Sequence, residues 1–434
     1  MKKINKYAMA LLVGAVSLGF TSCDNNDGPE GSETVTIAKS DMKNVTQAYI
    51  DNVVYPTYTE LAKDSRTLYA AAQTLYQSAS NGTMTQAQID AACEAFKAAR
   101  CQWERSEAFL YGSASNNDLD PHIDSWPLDH KELVNALNNP TLIAGFKSSD
   151  PAKFVSKNNT NFQSVLGFHG MEFVLFRNGS NRTVEALSNN DTEEGMTSVK
   201  GIDELAFLQA VAGDVRNVTA VLEYTWLGDK ASSETKSLIN GEASYVTATL
   251  RYKGMANESG MCYGDFLLSP TATTGYGSWL GTINQIFVGG CSNICAEVAD
   301  QKLGQAYRTA TNTGSEEDSR DYIESPYSHR SFIDYQDNIY SIKNSLYGTR
   351  DITATAPAAN SIMNLLQKVG YTGYSDLNNA LNSALQALET AKNSGKSFVE
   401  EPGAQRVGDC IEAVSKLNDE LNKAGSWINK QNEK

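Results

Sequence analysis

Residues Phe162 to Phe176 read FQSVLGFHGMEFVLF, and His169 and Glu172 are the only ionisable groups among them. Positions 162, 165, 166, 169, 172, 173 and 176 fall at helical spacing, so the stretch predicts a helix over 160–176 that is apolar nearly all round. Such a helix belongs at the centre of its fold, because no face of it suits water. The two charged groups are three residues apart and share a face. Gly167 and Gly170 flank the histidine, although glycine costs roughly 1 kcal/mol relative to alanine in a helix interior. Their missing side chains leave room for another helix or a ligand to come close.

Around this segment the chain reads as all-α. Three- and four-residue apolar spacing predicts helices over 39–78, 85–111, 129–138, 201–226, 232–253, 280–309, 327–347, 359–369, 374–394 and 403–429, with a kink at Pro56. No sustained period-two alternation accompanies them. Loops rich in Gly, Asn, Ser and acid separate the helices at 112–128, 177–200, 254–279, 310–326 and 348–358. An offset of 236 residues sets Ala108-Phe109-Leu110-Tyr111-Gly112 against Asn344-Ser345-Leu346-Tyr347-Gly348. The expected architecture is two packed, pseudo-repeated helical bundles, 39–253 and 280–430, joined by a linker at 254–279. Tyr340 and Lys343 stand where the first copy has Glu104 and Glu107, so a carboxylate site in one half is not repeated in the other.

The 85–111 stretch carries charge where a core should be. Its seam, positions 89, 93, 96, 100, 103, 107 and 110, reads Ile, Cys, Phe, Arg, Trp, Glu, Leu. Glu104 and Glu107 would project from one face, about 5 to 6 Å apart at Cβ. Adjacent buried carboxylates repel and are costly to desolvate, so they need a cation or a shared proton. Arg100, four residues before Glu104, is the structural candidate for that cation; a metal ion is the functional one. One imidazole with several carboxylates is the donor set of a first-row transition metal.

The first 23 residues, MKKINKYAMALLVGAVSLGFTSC, place Lys2, Lys3 and Lys6 before an apolar run and end on Thr21-Ser22-Cys23. This reads as an export signal at 1–22, with Cys23 resembling the lipidated cysteine of a bacterial lipobox and 23–38 a flexible tether. The expected location is the bacterial cell envelope, with the membrane reached through the lipid on Cys23. No later segment is read as a membrane span. The chain has 36 Lys+Arg against 51 Asp+Glu and a formal net charge of −15, which argues against a nucleic-acid partner. Cys93, Cys101, Cys262, Cys291, Cys295 and Cys410 read as small core residues, since Cys291 and Cys295 lie one helical turn apart and Cys93 and Cys101 about two. His122 and His130 read as surface residues.

Gly167-Phe168-His169-Gly170-Met171-Glu172 resembles the G-x-H-x-x-E signature of the imelysin family. Three further stretches resemble family landmarks in the same order. They are Trp103-x-x-x-Glu107-Ala108-Phe109-x-x-Gly112, Ile123-Asp124-Ser125-Trp126-Pro127, and Glu324-Ser325-Pro326-Tyr327-Ser328-His329 with Asp334. The resemblance implies two packed helical bundles with the G-x-H-x-x-E site near their junction. It implies metal ligands His169, Glu104, Glu107 and Asp124, with Glu172 a ligand or a supporting partner, and Ser328 and His329 lining the same cleft beside Arg100.

The family's peptidase label is not matched by mechanism in this sequence. Zinc peptidases of the H-E-x-x-H type use two histidines one turn apart, and this chain has no such motif, no Gly-x-Ser-x-Gly elbow and no nucleotide-binding loop. The favoured expectation is a binder of a divalent or ferric ion, iron first and zinc, copper or manganese after it, working with a membrane partner in metal uptake. A metallopeptidase using Glu172 and a non-catalytic surface scaffold are the alternatives.

Overall fold

A computed structural model describes residues 34–249, 261–271 and 275–434. The signal segment 1–22, Cys23, the tether up to residue 33, and residues 254–260 and 272–274 of the expected linker lie outside the described residues. The fold is all-α. Among the described residues the named strands are two short pairs, Thr36–Ile37 with Asn432–Glu433 and Phe176–Arg177 with Ser180–Asn181. The first pair seats the end of the tether in the protein, with Ile37 fully buried.

The longest helix, Gly201–Leu227, is buried along almost all its length and packs on Tyr55–Ser80, Pro151–Asn158 and Gly167–Leu175. By length and composition Gly201–Lys230 could cross a membrane, which corrects the sequence reading; here other helices surround it. Its buried acids are each held by a partner. Glu204 takes Arg182 at 2.5 Å, Asp214 takes His122 at 2.6 Å, and Glu223 accepts the Ser232 N–H at 2.9 Å. In the second half, Ser331–Tyr347 packs on Tyr374–Lys392 and on Gln86–Glu104, while Gln405–Ile428 covers 285–303. One continuous apolar core runs from Ile37 to Ile428.

Local chemistry explains several boundaries. Thr85 and Gln88 form a capping box at the start of Gln86–Glu104. Asn139-Pro140 and Asp150-Pro151 start two helices, Pro140–Phe146 and Pro151–Asn158, that apolar spacing alone missed. The expected kink near Pro56 is a π-helical stretch over Ile50–Val54, within a run that is helical from Lys39 to Ser80. Gly348, with φ +67°, closes Ser331–Tyr347.

The predicted 160–176 helix is shorter, Gly167–Leu175, with all nine residues buried. Two 3₁₀ turns, Asn159–Asn161 and Gln163–Val165, precede it. Gly167 has φ +71°, and a Cβ there would lie 2.1 Å from the Ile123 carbonyl oxygen. The Asp124 and Gly167 backbones are bridged at that point, so the missing side chain admits a chain segment, the one that carries Asp124. Gly167→Ala should therefore lower stability by more than the about 1–2 kcal/mol of a left-handed alanine alone. A urea midpoint within error of the parent chain would show that the close approach is not needed.

Candidate metal centre

Five segments that are distant in sequence deliver one buried cluster of charge. The Gln86–Glu104 helix supplies Arg100 and Glu104; the turn after Asp120–Ile123 supplies Asp124; Gly167–Leu175 supplies His169 and Glu172. Lys302 comes from the π-helical stretch Val298–Leu303, and Glu324 from the turn after Arg320–Tyr322. Arg100, Glu104, His169, Lys302 and Glu324 are each at most 2% exposed.

Arg100 lies in the middle. Its guanidinium reaches Asp124 Oδ1 at 2.5 Å, Glu104 Oε1 at 2.6 Å and Glu324 Oε1. His169 Nε2 lies 3.0 Å from the same Asp124 oxygen and 3.1 Å from the same Glu324 oxygen. Lys302 Nζ holds the other Glu324 oxygen at 2.8 Å, and Trp103 Nε1 donates to Asp124 Oδ2 at 2.8 Å. Asn338 Nδ2 donates to Glu104 Oε2 at 2.5 Å. One atom each of Asp124, His169 and Glu324 lie within 4.8 Å of one another.

Burial and charge set the protonation states. Burial would raise the Asp124 carboxyl, but Arg100 and then His169 hold it down at about 2. Burial likewise opposes ionisation of Glu324, yet Lys302 and Arg100 keep it well below the usual range. Burial lowers His169, but Asp124 outweighs it and lifts the imidazole to about 9. Burial pushes Glu104 well up despite Arg100. The settled pattern is two carboxylates, Asp124 and Glu324, facing three cations.

His169 Nε2 fits a metal. It is buried, close to two carboxylate oxygens, and has no aligned hydrogen bond. Residues able to hold an ion are therefore His169, Asp124 and Glu324, a nitrogen and oxygen set suited to iron, manganese or zinc.

The other expected site residues fall differently. Glu104 joins the cluster through Arg100 and not as a member of the three-atom group. Glu107 lies beyond the helix, which ends at Glu104, where the Arg105 and Ser106 N–H groups fold back to Cys101 and Trp103; the half-buried Glu107 starts a 3₁₀ turn close to Lys302 and Glu104, and burial pushes its carboxyl well up despite the Lys302 charge. It therefore does not share a helical face with Glu104. Glu172 Oε1 accepts the Ser328 N–H at 2.7 Å and the Tyr327 N–H at 3.2 Å, so it fastens the 325–329 turn to the histidine's helix. Ser328 contributes its backbone to that contact. His329 turns away from the cluster, with φ +56° and Nδ1 3.3 Å from Ser397 Oγ. Residues 327–330 precede the Ser331–Tyr347 helix and are not part of it.

His122 corrects the surface reading. It is 1% exposed, paired with Asp214 and 3.0 Å from the Asn159 amide, and so pins the segment before Asp124 to the central helix. Sequence reading left Lys302 and Glu324 unassigned. Lys302 interrupts the buried run Val298, Ala299, Leu303, Ala306, the same kind of signal that exposed Arg100. The six described cysteines are unpaired, and all but Cys101 are buried.

A family model described as imelysin, peptidase family M75, matches residues 54–421. Iron-regulated protein A of Synechococcus elongatus is 28% identical over 173 residues, 40% of this chain and 39% of that relative's length. The crystal structure of a protein described as an iron-regulated protein A precursor, from Parabacteroides distasonis, superposes with a TM-score of 0.67. That alignment has 24% identity and covers 91% of this chain and 96% of the other. An imelysin-like protein from Psychrobacter arcticum shares the fold with a TM-score of 0.54 at 14% identity, over 92% and 96% of the two chains.

Asp124 ionises more readily folded than unfolded, so its contribution to stability is present above the ordinary aspartate value of about 3.9 and is lost as pH falls through about 2. Asp124→Asn should be less stable than the parent at pH 6, and the gap should narrow progressively below pH 4. Urea midpoints that differ equally at pH 6 and pH 3 would contradict this.

Proposed function

The chain belongs to the imelysin family, and we propose that it binds a transition metal ion, iron in the first place, as part of metal uptake at the bacterial cell envelope. The convergence of His169 Nε2 with Asp124 Oδ1 and Glu324 Oε1 carries the reading. A bound ion would act as the cation that joins these three groups. Arg100 and Lys302 would keep Asp124 and Glu324 ionised and ready, while Trp103 and Asn338 fix the orientation of Asp124 and Glu104. Iron is preferred because relatives carry the name iron-regulated protein A.

Binding is favoured over peptide hydrolysis because Glu172, the base a peptidase would use, holds the Tyr327 and Ser328 N–H groups and is not one of the three convergent residues. Among the described residues, the three-atom group contains a single imidazole. Anchoring through a lipid on Cys23 would hold the domain at the membrane, beside the partner that takes the ion onward.

Since the imidazole carries a proton up to about pH 9, metal must displace it. Zinc affinity measured by calorimetry should rise about tenfold per pH unit between pH 6 and 8, with release of about one proton per ion. His169→Ala should abolish uptake without unfolding the helices, as followed by circular dichroism. Unchanged affinity in that variant would exclude the site. For the anchor, Cys23→Ser should end palmitate labelling and release the protein from membranes; persistent labelling would refute it.

A further inference from the structure

Arg100 binds the two oxygens that the proposed ion needs. Asp124 Oδ1 has Arg100 Nη1 at 2.5 Å and His169 Nε2 at 3.0 Å; Glu324 Oε1 has Arg100 Nη2 and His169 Nε2 at 3.1 Å. A transition metal held here would take these same oxygens as ligands. The guanidinium would then lie a few ångströms from a second, more concentrated positive charge, competing for the same lone pairs in a site closed to water. Like charges that close repel strongly at low dielectric.

The guanidinium has a place to go. Glu104 Oε1 is 2.6 Å from Nη2, one turn along the same helix, and Arg100 Nε has no hydrogen-bond partner. A small rotation of the side chain toward Glu104 would leave Asp124 and Glu324 to the ion while keeping the guanidinium paired. We propose that Arg100 is an internal stand-in cation. It bridges Asp124 to Glu324, and on loading with an ion it yields those oxygens and keeps its contact with Glu104. This rests on the reading of His169, Asp124 and Glu324 as the binding group.

The device has two consequences. It weakens metal affinity, because the ion must displace a bound cation. It also keeps the site shaped between loadings, because the two carboxylates never face each other uncompensated. Lys302 does not share the role: it holds the opposite Glu324 oxygen, is 3.8 Å from Glu297 Oε1, and can stay there throughout.

The test is calorimetric titration of the full-length chain with zinc chloride at pH 7.5, comparing the parent with Arg100→Met, Arg100→Lys and His169→Ala. The expected result is zinc binding at least about tenfold tighter in Arg100→Met, intermediate in Arg100→Lys, and lost in His169→Ala. Arg100→Met leaves buried carboxylates unpaired, so the parent is also examined as guanidinium-labelled ¹⁵N protein, where zinc should shift the Arg100 Nε–Hε resonance in a way that saturates with binding. If the parent binds zinc through His169 but Arg100→Met binds no tighter, or the Arg100 resonance does not move, the stand-in role is overturned and the metal reading stands. If neither the parent nor the Arg100 variants bind zinc, the metal reading itself fails and this proposal with it.

Discussion

Everything around the centre answers to one constraint: the Arg100 guanidinium is buried, always charged, and held by Glu104 on its own helix together with carboxylates brought from elsewhere in the chain. An isolated buried charge costs several kcal/mol even after relaxation, and removing one member of a buried pair costs about 3–5 kcal/mol. Placing Arg100 in the seam of Gln86–Glu104 thus obliges Asp124 and Glu324 to arrive together. The bridge from Asp124 to Glu324 ties residues 100–124 to residues 302–324.

The backbone is arranged to make those arrivals possible. Gly167 lets the Ile123–Asp124 backbone pass within bonding distance of the helix that carries His169. His122, two residues before Asp124, is locked to Asp214 on the longest helix, so Asp124 is approached from a fixed segment. Glu172 works from the same short helix in the other direction and holds the Tyr327 and Ser328 N–H groups, which sets the turn that begins at Glu324. His169 and Glu172 therefore divide the work of their motif: the histidine faces the charge cluster, and the glutamate positions the segment that completes it. That division explains why a motif with one imidazole needs its glutamate three residues on.

The all-helical fold was legible in the apolar spacing, and so was the central place of the Phe162–Phe176 stretch, since neither depends on long-range contacts. Arg100 and His169 were legible because each interrupts an apolar stripe, and Glu104 because it stands three residues before Glu107, a position of the same seam. Asp124 became a candidate only through the resemblance of Ile123-Asp124-Ser125-Trp126-Pro127, because nothing in a polar loop marks one aspartate above its neighbours. Glu324 stood in a quoted landmark and was still passed over for Ser328 and His329; its role appears only when the Glu172 contact folds that turn inward. The helical spacing of Glu107 with Glu104 fails because the helix stops before it, where the Ser106 hydroxyl donates to the Trp103 carbonyl at 2.7 Å. His122 misled because its partner Asp214 lies 92 residues away, beyond any local pattern.

On the proposed metal reading, a cluster whose carboxylates already have protein cations suits reversible binding more than permanent capture. A site built for irreversible capture would leave its carboxylates without protein cations, so that only the ion relieved their repulsion and the metal-free form would be strained. Here Arg100, Lys302 and the protonated His169 already supply that relief. On that reading an ion would displace the His169 proton and the Arg100 contacts, and each could return when it left. Binding and release are then exchanges between two satisfied arrangements of the same buried groups. The free-energy difference between them is set by local electrostatics and requires no unfolding of the helices that surround them.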